Sequence, residues 1–127
     1  MRVAILGLGL IGGSLGMALK AAQIEDLQIV GIPHRDETLQ AAREKKAIDE
    51  GTTDHLKGVE GADVVFLCTP IHLILPVLEE IAPKLKKGAI VTDVGSIKYE
   101  IVSGAEKFIP KGVFFVGGHP MAGKEIS

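Results

Sequence analysis

Aromatic side chains are scarce in this chain. Four Phe and one Tyr are spread over 127 residues and Trp is missing, so the core must be built from Val, Ile, Leu and Ala. That composition suits strands buried on both faces and the helices that cover them. A single cysteine, Cys68, excludes an internal disulfide and is compatible with a reducing cytoplasm. Within VVFLC it reads as a small buried hydrophobe. An excess of charge is lacking too. The formal net charge is −2 with Lys and Arg scattered, which leaves no basic footprint for nucleic acid. No segment approaches the ~18 apolar residues of a membrane span. The start, MRVAILGLGLIGGSLGMAL, places one Arg before an apolar stretch as a signal peptide does, but its glycines suit a loop better. No metal site is expected, and the length fits one domain.

What the chain does have is a strand–helix alternation. Val3 to Leu6 is a short apolar run of the kind found in central parallel strands. Ile11, Leu15, Ala18, Leu19 and Ala22 then fall at helical spacing. Leu27 to Ile32 is a second strand, after which Asp36 can cap a polar helix ending before Gly51. Residues 52–61 are polar and irregular, with room for a short edge strand that the pattern does not place. Val64 to Cys68 is the next strand. The helix marked by Ile74, Val77, Leu78, Ile81 and Leu85 tolerates Pro76 only in its first turn, and Gly88 stops it. Ala89 to Val94, a helix marked by Ile97, Ile101, Ala105 and Phe108, and a strand from Val113 to Val116 complete the series. Strands joined by helices imply parallel pairing. The expected fold is a single α/β domain, a Rossmann-type doubly wound parallel sheet spanning 1–127.

In such sheets ligands bind at the carboxyl ends of the strands. GLGLIGG, CTPIH, DVGSIK and GGHPMAG follow those ends and are rich in small or polar groups, whereas the loops at the opposite edge are ordinary. Gly7-x-Gly9-x-x-Gly12 is a dinucleotide fingerprint. Gly7 permits the tight turn, Gly9 lets the backbone approach a pyrophosphate, and Gly12 allows close helix–strand packing. The stretch Gly7, Leu8, Gly9, Leu10, Ile11, Gly12 is therefore expected to hold the pyrophosphate against a helix start. Cys68, Thr69 and Pro70, at the end of another strand, are expected to border the ribose or nicotinamide side.

An NAD fingerprint calls for an acid ~20 positions on, at the end of the second strand. GIPHR has none there. Arg35, helped by His34, can instead meet a 2′-phosphate, which predicts NADP as cofactor with NAD possible. Two alternatives stay open: Asp36 reaches the ribose after all, or His34 and Arg35 are merely solvated. His72 reads as a surface residue and His55, in a polar loop, receives no role. Ser96 is either a helix N-cap or a polar group in a site. His119, between Gly118 and Pro120, has no core explanation, and imidazole is suited to accept a proton near neutral pH.

Taken together, GLGLIGGSLG, LCTPI, TDVGSIK and GGHPMAG resemble the prephenate and arogenate dehydrogenases of tyrosine biosynthesis, over essentially the whole chain. LCTPIHLILP and the missing acid lean toward NADP-using, arogenate-type members. The resemblance implies oxidative decarboxylation of a cyclohexadienol with hydride transfer to NAD(P)+, with His119 as the catalytic base and Ser96 aligning the substrate hydroxyl. Lys98 receives no firm role. Members of that family continue into a helical second domain that completes the substrate pocket and forms a homodimer. No such domain is present in this chain, which is therefore expected to be part of a longer cytoplasmic enzyme, inactive alone. The arginine inventory agrees: a carboxylate substrate wants a bidentate Arg, but Arg2 lies at the wrong edge, Arg43 on a helix, and Arg35 on the cofactor. Two other readings fit the glycine loop: a nucleotide-sensing binding module, or another two-domain NADP-dependent reductase.

Overall fold

A computed structural model of the chain describes residues 1–93, 107 and 109–117, with the side chains of Leu10, Ile11 and Gly117 left aside. The elements, in order, are β1 (Arg2–Leu6), α1 (Leu10–Ala21), β2 (Gln28–Ile32), α2 (Asp36–Glu44), β3 (Glu50–Gly51), α3 (His55–Val59), β4 (Val64–Leu67), α4 (Ile71–Ile81), β5 (Ile90–Asp93) and β6 (Phe114–Gly117). A turn of 3-10 helix, Ala82–Lys84, closes α4. The six strands form one sheet in the order β3-β2-β1-β4-β5-β6. Every pairing is parallel, and this is the doubly wound arrangement expected from the alternation. Of the helix expected over residues 97–108, Lys107 alone is described, and it is helical.

The strands are buried on both faces. Ala4 and Leu6 of β1, Val65 and Leu67 of β4 and Val91 of β5 face Ile74, Val77, Leu78 and Ile81 of α4. Val3, Ile5 and Ile29 turn the other way, toward Leu39 and Ala42 of α2 with Leu15 and Leu19 of α1 alongside. Leu78 and Ile81 are completely inaccessible, and burial of each such side chain contributes about 1.5–3 kcal/mol. With so few aromatics, aliphatic residues do this on both sides.

Three expectations need correction. The short edge strand is Glu50–Gly51, just before the polar stretch; within that stretch lies α3, whose Asp54 caps it by accepting from the Lys57 N–H at 3.2 Å. α2 ends at Glu44, before Gly51 as expected. Asp36 is the first residue of α2 rather than its cap, a place where a carboxylate still complements the helix dipole. Finally, α4 starts at Ile71, so Pro76 sits inside the helix and not in its first turn. Its ring leaves the carbonyl one turn back without an intrahelical donor.

The amino-terminal edge of the sheet is held by ion pairs. Asp63 accepts from the Arg2 backbone N–H at 2.7 Å and pairs with Lys86, tying the entries of β1, β4 and β5 together. Asp49 likewise accepts from the Ile29 N–H at 2.8 Å and pairs with Lys20. Arg2 spans to Glu50 at 2.7 Å and Gln28 at 2.9 Å.

Candidate functional site

The strand order reverses direction between β1 and β4, which opens a crevice at their carboxyl ends. The Gly7 N–H donates to Ile32 O at 2.9 Å and the Cys68 N–H to Leu6 O at 2.7 Å, so pairing continues to the lip of the crevice. There the chain turns sharply. Gly7 adopts φ +90°, and a Cβ on it would stand 2.8 Å from the carbonyl of Cys68. Only glycine fits that turn. One helical turn later, a Cβ on Gly12 would run into the Gly7 carbonyl oxygen and meet Cys68 Cβ at 3.4 Å. Gly12 therefore lets α1 lie directly against the β1–β4 lip.

Gly9 is different. It precedes α1 at φ −67°, an ordinary value, and a Cβ there would meet nothing within 4 Å. The protein itself does not need a glycine at this position, and the space beside it is open to a ligand. α1 has no side-chain cap and no acid in its first turn, so its first N–H groups lack intrahelical acceptors and face the opening as an anion site.

Around this point a cleft of about 630 Å³ is lined by Gly7, Leu8, Gly9, His34, Arg35, Cys68, Thr69 and Pro70, all of them singled out from the sequence, and by Pro33, Thr38 and Ile71, which were not. Its volume lies within the range of small-molecule sites. Thr69 is 8% exposed, and its hydroxyl is buried with no hydrogen-bond partner among the described residues. A buried orphan of this kind is costly unless something supplies the missing bond. An open position at Gly9, bare helix N–H groups and an unsatisfied hydroxyl across the cleft together fit a phosphate-bearing nucleotide.

Cys68 forms part of the floor. Burial, reinforced by the charge of Asp93, pushes its thiol up to about 12, so it serves as an inert wall and not as a nucleophile. Asp93 itself is fully buried at the end of β5. The sequence placed it beside Ser96 without giving it a task. Asp36 does not line the cleft; with Glu37 and Gln40 it borders a separate exposed groove. His34 and Arg35 are exposed at the rim. Arg2 is engaged with Glu50, and Arg43 donates to the Gly51 carbonyl at 3.4 Å, which leaves Arg35 as the one arginine at the cleft. Leu10 and Ile11 contribute the first backbone turn of α1. Ser96, Lys98 and His119 lie outside the described residues. Among the described residues, no helix is long and apolar enough to cross a membrane.

One neighbour of the cleft rim was missed from the sequence. His55, passed over as a loop residue, opens α3. Its Nδ1 lies 2.6 Å from Glu80 Oε1, and its ring stacks edge-on with that of His34 at 5.8 Å. The contacts are tertiary, and no local pattern signals them.

A smaller groove of about 340 Å³ runs between α1 and α2, walled by Met17, Ala41 and Ala42. It adjoins the main cleft, sharing Leu8, Gly9 and Thr38 with it, and among the described residues carries only Lys45 as a charged group.

The six-stranded order, the glycine turn at the switch point and the anion site above it define a nucleotide-binding domain of the Rossmann class. The family model "Prephenate dehydrogenase, nucleotide-binding domain" matches residues 15–127. Over 126 residues the chain is 39% identical to the prephenate dehydrogenase of Bacillus subtilis, covering 98% of this chain and 34% of that protein. Among solved structures, the Synechocystis arogenate dehydrogenase superposes with a TM-score of 0.83 at 39% identity, over 94% of this chain and 41% of its own. The Aquifex aeolicus prephenate dehydrogenase, in complex with hydroxyphenyl propionate and NAD+, gives a TM-score of 0.83 at 32% identity, over 97% and 42%. The chain belongs to the prephenate dehydrogenase family, as its nucleotide-binding domain. It spans between a third and a half of the length of these relatives.

Proposed function

We propose that this chain binds a nicotinamide dinucleotide, NADP in preference to NAD, as the cofactor-holding part of a prephenate or arogenate dehydrogenase. The observation that carries the cofactor preference is the rim of the cleft: β2 leads into Pro33, His34 and Arg35, no carboxylate lines the cleft among the described residues, and Asp36 borders a different groove. An acid at this place accepts from a ribose 2′-hydroxyl, whereas an arginine accommodates a 2′-phosphate. The first N–H groups of α1 beside Gly9 would hold the pyrophosphate, and the Thr69 hydroxyl would bond to the ribose or nicotinamide side.

A bound nicotinamide would supply the acceptor for the hydride leaving the substrate carbon that bears the hydroxyl. His119 takes the proton of that hydroxyl, relieving the positive charge that hydride loss builds on the carbon. Ser96 aligns hydroxyl and imidazole. The ring carboxylate leaves as CO2 and the ring becomes aromatic, which drives the reaction forward. With Arg35 on the cofactor and Arg2 and Arg43 engaged elsewhere, the cations that hold the substrate carboxylates come from a further domain, helical and dimer-forming, that completes the pocket.

A fluorescence titration of the chain with NADPH and, separately, NADH tests the cofactor reading. Tighter binding of NADPH is expected; equal or NADH-favoured binding overturns the preference, and binding of neither overturns the site. For the chemistry, His119→Asn in a form that includes the substrate domain is expected to lower turnover by about 10²–10⁴-fold with the NADPH affinity unchanged. Retention of full turnover removes His119 from the mechanism.

A further inference from the structure

Three side chains from three separate elements meet beside the cofactor cleft. His34 follows the end of β2, His55 opens α3 and Glu80 lies on α4. Glu80 Oε1 stands 2.6 Å from His55 Nδ1, and the His55 and His34 rings meet edge-to-face, 5.8 Å apart and inclined at 61°. An ionised carboxylate only accepts, so Nδ1 of His55 carries the proton and donates it to Glu80. That bond fixes the ring's tautomer and orientation. The His55 side chain is 16% exposed while Glu80 is 50% exposed, so the histidine is the enclosed middle member.

The platform beneath this contact is closely packed. Asp54 caps α3, and a Cβ on Gly58 would overlap the Ile32 side chain, so α3 sits directly on the last residue of β2. His34 follows Ile32 by two positions, and its distance from His55 is therefore set by the fold. His34 is itself exposed at the rim.

We propose that His55, anchored by Glu80, is a positioning residue that holds the His34 imidazole at the rim of the cleft and thereby strengthens the preference for a dinucleotide bearing a 2′-phosphate. The inference rests on the reading above that the cleft takes NADP. A free imidazole at this rim must be ordered each time a phosphate binds; one already stacked against a fixed ring is preorganised, and preorganisation reduces the loss on binding. A dinucleotide without the 2′-phosphate gains nothing from it. The contribution therefore appears in the ratio of the two affinities.

The test is fluorescence titration of the chain with NADPH and NADH, for the wild type, His55→Ala and Glu80→Gln. In His55→Ala the NADPH Kd is expected to rise about fivefold, about 1 kcal/mol, with the NADH Kd within twofold of wild type. Glu80→Gln, a half-exposed change that spares the fold, is expected to shift the ratio the same way by a smaller factor. Parallel weakening of both nucleotides in His55→Ala, or an unaltered ratio in both variants, overturns the positioning role and leaves the cofactor reading standing. Failure of the wild type to bind NADPH in preference to NADH overturns the cofactor reading, and this inference with it.

Discussion

Replacing Gly9 and Gly12 separately by alanine distinguishes a glycine kept for the fold from one kept for a ligand. At Gly12 the added methyl would overlap the Gly7 carbonyl oxygen and lie 3.0 Å from its carbonyl carbon. Alanine gains about 1 kcal/mol over glycine in a helix, but overpacking costs about 1–3 kcal/mol or more. The obstacle here is backbone, which cannot rotate aside as a side chain does. A net loss of about 2 kcal/mol is expected, lowering the melting temperature by about 5–10 °C in a domain of this size. At Gly9 the methyl meets nothing within 4 Å and φ is −67°. Stability is expected to change by less than about 1 kcal/mol, as for other small losses at a helix N-cap. NADPH binding is nevertheless expected to weaken at least about tenfold, because the methyl occupies the approach of the pyrophosphate. Thermal melts followed by far-UV circular dichroism, with NADPH fluorescence titrations on the same samples, read both quantities. The reasoning is refuted if Gly9→Ala binds NADPH as the wild type does, or if it melts as early as Gly12→Ala.

Two further outcomes follow from titrating groups. With its thiol raised to about 12 from an ordinary 9.0, native Cys68 is expected to react with a thiol reagent near pH 8 about a thousandfold more slowly than after denaturation, since only the thiolate attacks; comparable rates in the two states would contradict a buried floor. The Arg2 backbone N–H and then Lys86 hold the Asp63 carboxyl below its ordinary 3.8. The folded state therefore binds that proton less readily than the unfolded one, and the stability Asp63 contributes is full above about pH 4 and lost as pH falls through its depressed value. Urea melts between pH 6 and 3 are expected to fall less steeply for Asp63→Asn than for the wild type; parallel curves would show that the pair does not matter in solution.

The sequence revealed most where a single local cause dictates the structure. Apolar runs such as Val64–Leu67 can only be strands buried on both faces, and their spacing by helices leaves the parallel order little choice. The glycine turn was legible for the same reason: each glycine meets a local steric demand or answers a ligand's. What escaped notice depends on residues far apart. The two-residue strand β3 is too short for periodicity, and α3 has five residues, although Thr52 and Asp54 ahead of Leu56 and Val59 are a usable capping signal. Pro76 lies inside α4 because tertiary burial of Ile74, Val77, Leu78 and Ile81 outweighs one lost backbone bond. His55 has partners 21 and 25 positions away in sequence, so its role becomes visible only once β2, α3 and α4 are placed together.

The two edges of the sheet treat their polar groups in opposite ways, and that difference argues for the site as much as any single residue does. At the amino-terminal edge Asp63 and Asp49 each satisfy a backbone N–H and a lysine, while Arg2 reaches Glu50 and Gln28. Those groups are consumed by the protein. At the carboxyl edge, among the described residues, the start of α1 has no side-chain cap, the Thr69 hydroxyl is buried without a partner and no acid lines the cleft beside Arg35. Each unmet donor at that edge is the complement of an anionic, hydroxyl-rich molecule, and the positive end of α1 lies at its centre. Binding of a dinucleotide phosphate there should therefore stabilise the domain in proportion to ligand concentration over Kd. An increase in melting temperature with added NADPH that Gly9→Ala abolishes would link the two edges of the argument: a sheet closed by its own ion pairs below and completed by a ligand above.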